Sequence, residues 1–140
     1  MSISHLNYWD RLKHLNLMSL QRRRERFQVI YIWKIINNKV PNFCNIVWRD
    51  ITRRGNTIRI PELPSTVAKI NSTFDCSFRV KACKIWNCLP KYVKEPTSMN
   101  IFKNKLDSFL LRVPDCPPVS GYSTMNSNSL LDWLTSSNAY

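Results

Sequence analysis

Apolar residues recur at helical spacing in four stretches of the chain. From Asn7 to Leu17, Tyr8, Leu12 and Leu15 fall three and four apart with Trp9 beside them, the signature of one amphipathic helix. Met18 and Ser19 interrupt it, and Ser19 suits the N-cap of a longer helix from Leu20 to about Asn38. In the second half of that helix Val29, Ile32, Trp33, Ile36 and Val40 form a broad stripe. Ile30, Tyr31 and Ile35 widen it toward full burial, so this is the predicted core helix. Pro41 enforces its stop. Between Asn42 and Ser72 the period fades into an irregular basic segment that turns at Arg54-Gly55-Asn56. Thr57-Ile58-Arg59-Ile60 alternates like a short strand closed by Pro61, and Phe74 to Phe78 reads as a second extended stretch. A third helix is predicted from Arg79 to Cys88, with Val80, Cys83 and Trp86 on one side and Pro90 ending it through Leu89. A fourth starts from a Ser98 cap and runs through Leu111, with Phe102, Leu106, Phe109 and Leu110 as its inner face.

Beyond Arg112 the pattern changes. Pro114, Pro117 and Pro118 precede Ser120 to Ser129, where eight of ten residues are Ser, Thr, Asn or Gly, and the stretch reads as a flexible tail. Its end, Ser129-Leu130-Leu131-Asp132-Trp133-Leu134, is a capped apolar hexamer able to dock on the domain or on a partner. At 140 residues the chain has room for one core, and 44% hydrophobic with 11% aromatic residues supply the apolar surface to fold it. The expected architecture is therefore mainly α: a small helical domain of about four helices, with a short β or irregular insertion and a flexible C-terminal tail. The expected division is a basic helical domain over 1–112 and a tail over 113–140.

Charge sharpens the functional expectation. Twenty-one Lys and Arg stand against nine Asp and Glu, a net +12, and twelve of those cations lie in residues 1–60 against three acids. A polyanion is the natural partner of such a chain. The opening turns of the long helix hold Arg22, Arg23, Arg24 and Arg26, broken only by Glu25. Cations there oppose the helix dipole and repel one another by a few tenths of a kcal/mol each. Forked guanidinium donors suit phosphate oxygens, and the helix N-terminus aims backbone N–H groups the same way. Arg22, Arg23, Arg24 and Arg26, with Arg53, Arg54 and Arg59 where the fold brings them near, are the expected contacts to RNA or DNA backbones. The competing reading of the cluster is a solvated charged face. Trp48 is a candidate for base stacking, against a place in the core.

Other classes find little support. The longest clean apolar run, Val29 to Trp33, is far short of the roughly 20 residues that span a bilayer. Met1 to Asp10 lack the pattern of a secretory signal, so an intracellular protein, nuclear or cytoplasmic, is expected. Five scattered cysteines, Cys44, Cys76, Cys83, Cys88 and Cys116, do not suggest a disulfide framework. The spacing Cys83-x4-Cys88, with only His5 and His14 for imidazole, does not match zinc-site patterns. The acids never occur as a close pair, and Gly55 and Gly121 make no phosphate loop. Asp10 and His14, four apart, read as a solvated contact rather than a catalytic dyad. No catalytic residue, metal or cofactor is expected from the residues.

Several blocks, in order, carry a family likeness. They are Tyr8-Trp9-Asp10-Arg11-Leu12, then Ser19-Leu20-Gln21-Arg22-Arg23-Arg24-Glu25-Arg26-Phe27, then Tyr31-Ile32-Trp33-Lys34-Ile35-Ile36 running to Val40-Pro41. Ile85-Trp86-Asn87-Cys88-Leu89-Pro90 follows, with Ser98, Phe102-Lys103, Leu106-Asp107 and Phe109-Leu110 behind it. Pro114-Asp115-Cys116-Pro117-Pro118, Gly121-Tyr122 and Asn126 through Trp133 complete the series. Together these resemble the region that follows the polymerase in non-LTR retrotransposon reverse transcriptases of the LINE type, jockey-like in pattern. The family's polymerase motif, an aromatic residue and an aspartate pair on a hairpin, is missing, as is any endonuclease set, so the resemblance transfers no catalytic residue. It implies a non-catalytic appendage of an RNA-directed DNA polymerase that grips RNA or DNA beside an upstream polymerase domain. The alternative is a structural domain that packs against that polymerase with no nucleic-acid affinity of its own.

Overall fold

A computed structural model describes residues 3–43, 47–53, 56–62, 78–115 and 128–136, with 47–53 and 56–62 described by their backbone alone. Helix α1 spans Tyr8–His14 and α2 Leu20–Ile36. Strands β1 (Val47–Arg53) and β2 (Asn56–Glu62) pair antiparallel as a hairpin. Helices α3 (Phe78–Cys88), α4 (Lys91–Lys94), α5 (Met99–Leu110) and α6 (Leu130–Thr135) follow. The protein is mainly helical, a small helical domain with one two-stranded insertion among its described residues.

Local chemistry explains the ends of the first two helices. Asn7 caps α1: its Oδ1 accepts the Asp10 N–H at 2.9 Å while its Nδ2 donates to the Asp10 carboxylate at 2.7 Å. Asp10 thus bonds back to Asn7. The helix ends where Asn16 takes a left-handed conformation at φ 53°, a setting asparagine tolerates better than most residues. Although its apolar spacing is helical, α1 contributes no buried residue. Ser19 caps α2 as expected, its Oγ accepting the Arg22 N–H at 3.1 Å.

The core is built on α2. Val29 and Ile32 are fully enclosed, and Trp33 stacks on Phe102 of α5 with ring centroids 5.3 Å apart and planes 17° from parallel. The Trp33 Nε1–H donates to the Pro96 carbonyl at 2.9 Å, so this large ring is buried without an orphaned donor. Ala82, Cys83, Ile85 and Trp86 of α3, Val93 of α4, and Leu106, Phe109 and Leu110 of α5 belong to the same cluster. Helix α3 packs against both α2 and α6.

Four expectations change. The basic stretch after Trp48, read as irregular, forms the first strand of the hairpin, with Trp48 opposite Pro61 and Asp50 opposite Arg59. A two-stranded sheet has two edges, so Pro61 fits the ladder without its missing donor. Phe78, read as extended, opens α3; residues 74–77 lie outside the described residues. One extra turn, α4, follows Pro90, whose fixed φ of −59° suits a helix start. The boundary at 112 does not part a core from a tail: Val113, Asn128, Leu130 and Leu134 are buried, because α6 turns its apolar side into the same cluster. The tail expected over 116–127 lies outside the described residues.

Candidate nucleic-acid interface

The arginine run at the start of α2 divides by face. Successive helical residues are 100° apart, so projecting the buried stripe of Val29 and Trp33 back by three, four or seven positions lands on Arg22, Glu25 and Arg26. Arg23 and Arg24 fall on the other side and are exposed.

Arg22 is an internal clamp, 0% exposed. Its guanidinium donates to the carbonyls of Pro114 and Asn128 at 3.0 Å each and to that of Val113 at 3.4 Å. Its Nε lies 3.5 Å from the Glu25 carboxylate. Around it, the Asp115 carboxylate accepts the Ser19 N–H and Oγ–H at 2.6 Å each, and the Asn128 amide donates to both Ser19 Oγ and Asp115. Glu25 is equally buried and accepts the Leu130 N–H, with Lys81 Nζ at 3.6 Å. Burial pushes its carboxyl above the ordinary value, against the Leu130 hydrogen bond and the charges of Lys81 and Arg22. This knot joins the first turn of α2 to segments more than ninety residues away.

Arg26 is committed too. Its Nε and Nη2 fork onto the Asp107 carboxylate at 2.5 and 2.9 Å, and that pairing raises the guanidinium above its usual value. The expectation that Arg22 faces phosphates is therefore corrected, since Arg22 is enclosed, while Arg26 is held at the surface in a part-exposed pair with Asp107.

What remains outward is a mixed stripe. Arg23, Arg24, Phe27, Tyr31 and Lys34 recur at three- and four-residue steps along α2, and the helix's single acid, Glu25, is on the opposite face. Phe27 is 64% exposed. Phe78 at the start of α3 meets Tyr31 edge to face, centroids 5.5 Å apart at 68°. Phe27, Gln28, Ile30, Tyr31 and Phe78 line an open groove of about 630 Å³, with Arg24 and Lys34 at its two ends along the helix. Among its described lining residues there is no carboxylate.

The hairpin arginines are placed by register only: Arg53 pairs opposite Asn56 and Arg59 opposite Asp50, while Arg54 lies outside the described residues. Cys83 is a core residue, and burial pushes the half-buried Cys88 thiol up and the nearby Lys94 ammonium down. Among the described residues no three His, Cys, Asp or Glu side chains gather as a metal site, and no helix is long and apolar enough to cross a membrane. Sequence reasoning missed Phe27 and Phe78 as surface residues; the spacing of Phe27 from Arg23, Arg24 and Tyr31 was the available signal for the first.

Comparison with family models, with curated proteins and with solved structures matches this chain to none of them.

Proposed function

We propose that this chain is a non-catalytic nucleic-acid-binding module that holds RNA or DNA by its phosphates through the outer face of α2. The observation that carries the reading is the outward set Arg23, Arg24 and Lys34 on a face with no acid, in a chain of net charge +12. Cations so placed release counterions from a polyanion on binding, which gives sequence-independent affinity. The resemblance to the region behind a LINE-type polymerase is of a piece with this role: a module that grips template or target while chemistry proceeds in an upstream domain.

The test is a salt titration. Three neutralised phosphates give a slope of log K against log salt of about −2.7 on duplex DNA, or about −2.1 on a single strand. Replacing Arg23, Arg24 and Lys34 together by Gln should abolish most of that slope while the helix content stays the same. Affinity and slope unchanged in the triple variant would overturn the assignment.

A second reading has one observation in its favour. Helix α1 has no fully buried residue, and Tyr8, Leu15, Leu17 and Leu20 are each about half exposed. Such a surface suits a neighbouring protein domain. Concentration-dependent sedimentation with no nucleic-acid affinity at modest salt would favour a packing module instead.

A further inference from the structure

We infer that the α2 groove receives unpaired bases, so that the polyanion it prefers is single-stranded. This rests on the nucleic-acid-binding reading and specifies the form of the ligand.

The order of side chains along the groove is cation, ring, ring, cation: Arg24, Phe27, Tyr31, Lys34. Arg24 and Lys34 are ten residues apart, about 15 Å along the helix axis. The two rings sit between them on the same outward stripe. Phosphates alone need no aromatic surface, and leaving Phe27 at 64% exposure forgoes apolar burial. In the edge-to-face pair of Tyr31 and Phe78, one ring's face meets the other's edge, so the pair itself occupies only one of four ring faces. Nucleobases stack on such faces whatever their identity. In a duplex the bases are already stacked inside, and only the cations find partners. A single strand satisfies both: its phosphates reach the cations at the two ends, and its bases enter an apolar groove whose described lining holds no competing carboxylate.

The experiment titrates the full chain, by fluorescence anisotropy at low salt, with three labelled probes of about 12 nucleotides, a length within the usual footprint of single-strand binders. These are an oligothymidylate, a duplex, and a strand with the same phosphates but abasic sugars. The oligothymidylate should bind more tightly than the duplex. Loss of the bases should weaken binding by about five- to a hundredfold, the effect of one stacked base. Phe27→Leu and Tyr31→Leu, which keep apolar bulk and remove the ring, should weaken oligothymidylate binding similarly and leave the duplex affinity unchanged. Since the probe comparison uses the unaltered protein, it stands even if a variant folds poorly. Equal binding of abasic and base-bearing strands, or a preference for duplex, overturns this inference while the phosphate-binding reading survives. Failure to bind any probe overturns both.

Discussion

The Glu25 carboxylate accepts the backbone N–H of Leu130 at 3.0 Å across 105 residues of chain. An acceptor at that position satisfies an orphan donor at the start of α6. It ties α6 to the second turn of α2, one turn on from Arg22, which takes the Asn128 carbonyl. The charged cluster that most suggests a ligand-binding surface thus spends half its members holding the chain together.

Arg22→Ala leaves Glu25 and three carbonyl groups with reduced partnering inside the protein. Removing one member of a buried pair typically destabilises by about 3–5 kcal/mol, and that loss is expected here. Arg23→Ala, on the outer face, should change stability by no more than about 0.5 kcal/mol. Urea unfolding of both variants checks the contrast, and equal losses would contradict the inward placement of Arg22.

Leu130 is fully buried although it lies past the proline- and serine-rich stretch. Leu130→Ala should therefore cost about 2–5 kcal/mol, the range for a core leucine. A residue on a free tail would show nothing measurable in the same denaturation experiment.

Asp107→Asn removes the forked acceptor of Arg26. The pair is partly exposed, so solvent screening holds the expected loss to about 1 kcal/mol. Freeing a cation and deleting a nearby anion should also strengthen duplex binding and steepen the salt slope by about 0.9. Anisotropy titrations at several salt concentrations read both quantities; weaker binding would show that Arg26 is not being withheld.

Glu25 holds its proton more tightly in the folded protein than in the unfolded chain, because burial disfavours its charge. Its contribution is then fully present below the ordinary glutamate value of 4.5 and is lost as pH rises through the raised folded value. Stability measured upward from pH 4.5 should carry this falling component in the natural protein, and Glu25→Gln should lack it. Identical pH profiles for the two would disprove the shift.

Local signals were readable where the partners are near in sequence. Ser19 as the cap of α2, the apolar stripe of Val29, Ile32 and Trp33, and the inner face Phe102, Leu106 and Phe109 follow from spacing alone. The hairpin was half visible, since Thr57 to Ile60 alternates whereas Arg49, Asp50, Thr52 and Arg53 dilute the strand signal of β1. The outward site was legible as charge, through Arg23 and Arg24, but not as a groove, because Phe78 reaches Tyr31 only when α3 packs on α2.

By itself the amino-acid order determined the helical periods, the cationic character and the residues that prefer the inside, since these depend on neighbours within one or two turns. Only the tertiary structure decided which arginines face water. Burying a guanidinium requires acceptors to replace its lost hydration, and for Arg22 these are supplied by Val113, Pro114 and Asn128, residues that only folding brings alongside it.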